Sequence, residues 1–209
     1  MSRPICVVVF DVGETLVDET RAWSEHADAV GVTRLTLFAA LGALIERSED
    51  HRHVWGLLGV DPPPAPAQIR REDLYPDVIE CLRALHASGR RIGLAGNQPE
   101  QAETALGQLG LPVSFIASSA RWRLEKPSPE FFARVVSSAE TPPAQIAYIG
   151  DRLDNDVLPA HRAGMFTVFV RRGPWGYLHA HRPEVATADA RIESLRELPA
   201  LLQAVGQTS

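Results

Sequence analysis

The stretch YIGDRLDNDVLPAHRAGM, residues 148–165, decides how this chain folds. It opens at the end of an apolar run, 145–149, that reads as a buried strand. Gly150 and Asp151 close that strand, and residues 154–163 carry helical spacing. The same unit recurs outward along the chain. Ile5–Phe10 is a continuous β-branched run that reads as a strand buried on both faces, and it ends at Asp11 in the polar turn DVGET. Further strands are predicted over 91–97, 113–117, 167–170 and 189–191. Helices are predicted over 76–88 (capped by Gly89), 99–109 (stopped by Gly110), 128–139 (Ser128 as N-cap, Glu130 in the first turn) and 194–205. Strands alternating with helices at this spacing predict parallel βαβ units. The fold class is α/β, a doubly wound, Rossmann-like parallel sheet.

One segment breaks the alternation. Residues 22–58 show apolar positions at helical spacing with no strand between them, and DPPPAPAQ, 61–68, interrupts the pattern. The chain therefore divides into an α/β core of residues 1–17 and 73–209 and a small all-helical insertion of residues 18–72.

Composition sets limits. With 209 residues, a hydrophobic fraction of 45% and a net charge of −5, the chain reads as a soluble globular protein without a basic field for nucleic acid or anionic lipid. Cys6 and Cys81 lack CxxC spacing and nearby His, so both read as small core residues of a reduced compartment. The apolar run near the N-terminus is too short for a signal peptide or a membrane span. The expectation is a cytoplasmic protein, monomeric or homodimeric, with a small-molecule partner and neither nucleic acid nor membrane.

In an open α/β sheet, sites form beyond the carboxyl ends of the strands. Here those ends deliver Asp11, Gly96 with Asn97, and Asp151 followed by Asp154 and Asp156; the segment after the 113–117 strand leads to Lys126. Carboxylates crowded together repel, and a divalent cation is the usual reason to tolerate them. Lys126 is the only lysine among 21 basic residues. A compact ammonium can meet a nucleophile and a phosphoryl oxygen at once, which a wide planar guanidinium does differently.

These residues, in this order, resemble the haloacid dehalogenase superfamily over nearly the whole chain. VVVFDVGETL matches its first motif, EKPSPEFF its third, and YIGDRLDNDV followed by AGM its fourth. The resemblance implies that Asp11 is a nucleophile forming an aspartyl-phosphate. It implies that Lys126 is the family's lysine, also touching phosphate, and that Mg²⁺ is held by Asp11, Asp151, Asp156 and the backbone carbonyl of Gly13. The insertion then corresponds to a helical cap that closes over the site, with Arg21 and Trp23 as candidate substrate contacts. The implied activity is hydrolysis of a small phosphorylated metabolite.

Two positions depart from the family pattern. Family phosphatases carry a second Asp, the general acid/base, two residues after the nucleophile; here that residue is Gly13, with Glu14 next to it as a candidate substitute. The second motif normally ends in Ser or Thr; here Gly96 stands in that place, leaving phosphate to backbone groups and the Asn97 amide. The alternative these departures raise is a weakened scaffold that binds a metabolite or a partner. The motif HRHVW, 51–55, has its two His on different sides of a helix, and they read as polar residues at the surface with Trp55 buried. GPWGY, 173–177, reads as a turn.

Overall fold

The structure is a computed structural model that describes residues 4–64 and 68–207. Residues 65–67 of the expected break at 61–68 lie outside this range. Six strands, β1 (Val7–Phe10), β2 (Arg91–Gly96), β3 (Phe115–Ser118), β4 (Ile146–Gly150), β5 (Phe166–Val170) and β6 (Ala190–Ile192), form one sheet in the order β3-β2-β1-β4-β5-β6. Every pairing is parallel. The helices are α1 (Thr20–Ala29), α2 (Arg34–Glu46), α3 (Val54–Leu58), α4 (Val78–Ala87), α5 (Glu100–Gln108), α6 (Ser119–Trp122), α7 (Pro129–Ala139), α8 (Leu158–Arg162), α9 (Gly173–His179) and α10 (Leu198–Gln207).

Strand periodicity explains the two-sided core. Successive side chains of β1 point to opposite faces. Val8 and Phe10 join Leu82 and Leu85 of α4 and Leu198 and Leu202 of α10 on one face. Val7 and Val9 join Phe131, Phe132 and Val135 of α7 on the other. The chain runs outward from β1 to β3, then crosses back to lay β4 on the far side of β1. The strand order therefore reverses between β1 and β4, and a crevice opens there beyond their carboxyl ends.

Helices α1–α3 bury a core of their own, built on Ala27, Leu37, Leu41, Leu44 and Val54. Two neighbouring passages join them to the sheet. The Asp18 N–H donates to the Asp73 carbonyl (2.8 Å), and the Tyr75 N–H donates to the Leu16 carbonyl (3.0 Å). Arg21 spans the two passages. Its Nε and Nη2 donate to the two oxygens of Asp73 (2.7 and 2.6 Å), and Nη1 donates to Glu25 (2.7 Å).

The structure differs from the sequence reading in three places. GPWGY is the start of helix α9, with Pro174 in the first turn, where its missing N–H costs nothing; Trp175 is buried and Tyr177 exposed. The helix expected from 154 begins as one π-helical turn, Leu153–Val157, before α8. Cys81 is buried as expected, but Cys6 is exposed just before β1, its Sγ–H donating to the Pro4 carbonyl (3.4 Å).

Candidate active site

The crevice between β1 and β4 collects the charged residues that the sequence placed at strand ends. Asp11 follows β1, and its N–H donates to the Ile149 carbonyl (2.9 Å), which fixes the two strand ends side by side. Asp151 follows β4. The π-helical turn after it turns Asp156 back toward the strand, where Asp156 Oδ2 accepts the Arg152 N–H (3.1 Å). Inserted π turns of this kind recur at functional sites because they re-aim one side chain. Asp11, Asp151 and Asp156 are all buried, and carboxylate oxygens from the three lie within 4.8 Å of one another.

Lys126 holds part of this charge. Its Nζ donates to Asp11 Oδ1 and to Asp156 Oδ1, both at 2.6 Å, and the side chain is 2% exposed. Burial alone would lower its pKa; the charges of Asp11 and Asp156 outweigh that and hold it well above the usual lysine value. The Lys126 loop is fixed by Asn97. The Asn97 amide donates to the Lys126 carbonyl (3.0 Å), and its oxygen accepts the Lys126 N–H (2.8 Å).

Asp151 lacks such a cation. Burial pushes its carboxyl well above the ordinary carboxylate range, and the charges of Asp156 and Asp11 push it further. Thr15 donates to Asp151 Oδ1 (3.2 Å), while Oδ2 is buried with no hydrogen-bond partner. A hard cation is what this arrangement fits: three converging carboxylates and an orphaned oxygen.

The haloacid dehalogenase-like hydrolase model matches residues 5–164, which is most of the chain and includes all four of these residues. The chain belongs to the haloacid dehalogenase-like hydrolases. It is 30% identical over 224 residues to the glyceraldehyde 3-phosphate phosphatase of Methanopyrus kandleri, covering 93% of this chain and 95% of that one. It is 33% identical to the phosphoserine phosphatase of Thermus thermophilus, a match spanning 62% of this chain and 51% of that one. Among solved structures, a HAD phosphatase from Thermococcus onnurineus superposes with a TM-score of 0.61 at 22% identity, covering 94% and 97% of the two chains. The L-2-haloacid dehalogenase of Xanthobacter autotrophicus gives 0.67 at 19%, covering 95% and 98%. At such identities these two likenesses speak to the fold alone.

At Gly13 and Gly96, the two departures from the haloacid dehalogenase-like pattern, neighbouring carboxylates occupy the space a Cβ would enter. A Cβ on Gly96 would stand 2.6 Å from Asp11 Oδ1, so the Asp11 carboxylate occupies the space beside this position. A Cβ on Gly13 would stand 2.5 Å from Oε1 of Glu19, a residue at the start of the helical insertion that the sequence analysis did not single out. Glu19 Oε2 accepts the Trp23 Nε1–H (3.2 Å), and the Glu19 N–H donates to Glu14 Oε1 (3.0 Å). Burial raises the Glu19 carboxyl to about 7, with the Glu14 charge adding to the rise. Glu14 lines the same cavity as Asp11, with its Oε2 accepting the Tyr75 hydroxyl (2.6 Å) and its Oε1 held by the Glu19 N–H.

Glu19 lines the cavity of about 100 Å³ that holds Asp11, Gly13, Asn97, Lys126 and Asp151. Arg21 and Trp23 lie one step away. They line a neighbouring cavity of about 680 Å³ that shares Glu19 and Gln98 with the first. Trp23 also stacks on Trp55, ring centroids 6.1 Å apart, and Trp55 is only partly buried. Two more residues reach the inner cavity that the sequence left as surface or turn. His51, from the HRHVW motif, packs edge-on against Trp175 of α9 at 5.3 Å, and both line the cavity with Asp11.

Proposed function

We propose that this hydrolase is a Mg²⁺-dependent phosphatase that acts on a small phosphorylated metabolite through an aspartyl-phosphate on Asp11. The observation that carries this reading is the buried trio Asp11, Asp151 and Asp156, two of them (Asp11 and Asp156) bridged by Lys126, at the point where the strand order reverses. The relatives named as phosphatases of small phosphorylated compounds support it.

Asp11 supplies the carboxylate oxygen that attacks phosphorus in line with the leaving oxygen. Bringing an anion to a phosphate dianion is costly, and fixed positive charge at the site lowers that cost. Lys126 supplies such charge from a position that Asn97 locks. Asp11, Asp151, Asp156 and the Gly13 carbonyl would hold Mg²⁺, which supplies charge neutralisation on the phosphoryl oxygens. Asn97 keeps one amide N–H for a phosphoryl oxygen, and Gly96 leaves the end of β2 open beside Asp11.

Residues 18–72 act in this reading as a cap over a core of residues 1–17 and 73–209. The separate core of α1–α3 and the contact of His51 with Trp175 support a unit that closes on the site and excludes water. Arg21, bound to Asp73 across both passages, holds the cap's attachment, and Trp23 orients Glu19 while its ring lines the outer cavity, where the organic part of the substrate would sit.

The test is hydrolysis of small phosphate monoesters with and without Mg²⁺, using wild type and Asp11→Asn. Turnover that needs both Mg²⁺ and Asp11 is expected. Activity that survives Asp11→Asn or chelation refutes the reading.

A further inference from the structure

We infer that Glu19 is the general acid/base of this site, replacing the aspartate that Gly13 lacks. The inference rests on the phosphatase reading above and names the residue that would complete it. Its argument is steric. A side chain at position 13 and the Glu19 carboxylate compete for one volume, since a Cβ on Gly13 would fall 2.5 Å from Glu19 Oε1 and 2.9 Å from its Cδ. The Glu19 carboxylate fills that volume in this structure. In this chain the carboxylate comes from residue 19, at the entry to α1, and glycine at 13 makes room for it.

The carboxylate is held in that volume rather than passing through it. The Trp23 indole N–H donates to Oε2, and the Glu14 carboxylate accepts the Glu19 backbone N–H. Glu14 is in turn fixed by the Tyr75 hydroxyl. Glu14, Tyr75 and Trp23 are thus positioning residues. Glu19 shares its cavity with the nucleophile Asp11 and with Lys126.

The proton movements balance in two steps. Asp11 forms a bond to phosphorus while the bond from phosphorus to the leaving oxygen breaks. The leaving oxygen keeps the electron pair and takes the proton of the Glu19 carboxyl, giving an alcohol, an aspartyl-phosphate and a Glu19 carboxylate. That carboxylate then removes a proton from water as the water oxygen attacks phosphorus. The bond from phosphorus to Asp11 breaks, releasing phosphate and restoring both side chains.

A general acid matters most when the leaving group is a poor one. The experiment compares wild type, Glu19→Gln, Glu19→Ala and the double variant Gly13→Asp/Glu19→Ala on an alkyl phosphate (glycerol phosphate) and on an aryl phosphate (4-nitrophenyl phosphate). Glu19→Gln is expected to lower kcat on the alkyl ester by roughly 10²–10⁴-fold and on the aryl ester by about 10-fold or less in the first step. The double variant is expected to regain at least about 10-fold over Glu19→Ala, because its aspartate enters the vacated volume. Fluoroberyllate, which mimics the aspartyl-phosphate, should bind wild type and Glu19→Gln alike. Equal kcat for Glu19→Gln and wild type on the alkyl ester, with fluoroberyllate binding intact, overturns the role of Glu19 and leaves the phosphatase reading standing. A wild type that neither turns over the esters nor binds fluoroberyllate overturns both.

Discussion

Replacing Lys126 with methionine should expose how much charge this site stores. The ammonium sits 2.6 Å from oxygens of both Asp11 and Asp156, and the lysine and Asp156 are essentially without solvent contact. Methionine keeps most of the volume, so the loss is electrostatic. Removing one partner of a buried ion pair costs about 3–5 kcal/mol, because the remaining charge is stranded. Here two carboxylates, Asp11 and Asp156, would lose their shared cation beside the already uncompensated Asp151. That is a large part of the roughly 5–15 kcal/mol that holds a typical domain folded.

Two further readouts distinguish charge from packing. Asp151 and Asp156 have carboxyls already raised, chiefly by burial and further by the charges of Asp156 and Asp11 on Asp151 and of Asp11 on Asp156, the latter to about 7, whereas an unfolded Asp titrates near 4. A carboxyl with a raised folded pKa takes up a proton in the folded state first. Its cost to stability is therefore absent below about pH 4 and grows as pH rises through the folded value. The deficit of Lys126→Met relative to wild type should accordingly shrink when pH falls from 7.5 to 5. Mg²⁺ adds about 2.7 kcal/mol to either protein at a hundredfold excess over its own Kd. At one fixed Mg²⁺ concentration the deficit therefore shrinks according to the factor by which the methionine variant, with its extra uncompensated charge, binds the ion more tightly. Urea unfolding of both proteins, with chelator or Mg²⁺ at the two pH values, reads all of this. A deficit under about 1 kcal/mol in chelator at pH 7.5, or one that does not change with pH, would refute the reasoning.

Other consequences follow from the same geometry. Asp151→Asn removes an unpaired buried charge and should make the metal-free protein more stable. It should also abolish a Mg²⁺-dependent rise in Tm, which for wild type at a hundredfold excess over Kd amounts to about 5–10 °C by scanning calorimetry. Gly96→Ala places a methyl group against Asp11 Oδ1 and should lower kcat by on the order of 10²-fold, the usual effect of about 1 Å of misplacement, while the far-ultraviolet circular dichroism spectrum is unchanged. His179 is buried and accepts the Leu153 N–H (3.1 Å), and burial lowers its pKa to about 4. An unfolded His titrates near 6.5, so the unfolded chain binds the extra proton first as pH falls. Stability should therefore drop between about pH 6.5 and 4, by about 3 kcal/mol at most from this group, and His179→Gln should flatten that slope in urea titrations.

The sheet and most of its helices were legible because buried parallel strands write continuous apolar runs and their ends write glycine and aspartate. The convergence of Asp11, Lys126, Asp151 and Asp156 followed from the strand ends alone. Glu19 was not legible in the same way. Its placement depends on the path of the passage into α1 and on the hydrogen bonds from Trp23 and to Glu14, none of which leave a spacing pattern. The one available signal was negative: a glycine two residues after Asp11 raises the question of what fills its space. His51 and Trp175 were hidden for a related reason, since each completes the cavity only by meeting the other across two distant segments. Arg21 read as a candidate substrate contact because it begins the helical insertion, and its bidentate hold on Asp73 depends on a second passage more than fifty residues later.

The central claim is covalent chemistry on Asp11, and ¹⁹F NMR of fluoroberyllate tests it most directly. With Mg²⁺ and beryllium fluoride, wild type should show bound fluorine resonances from a complex on the Asp11 carboxylate. They should vanish with chelator and in Asp11→Asn. Bound resonances that persist in Asp11→Asn, or none in wild type with saturating Mg²⁺, would contradict the account.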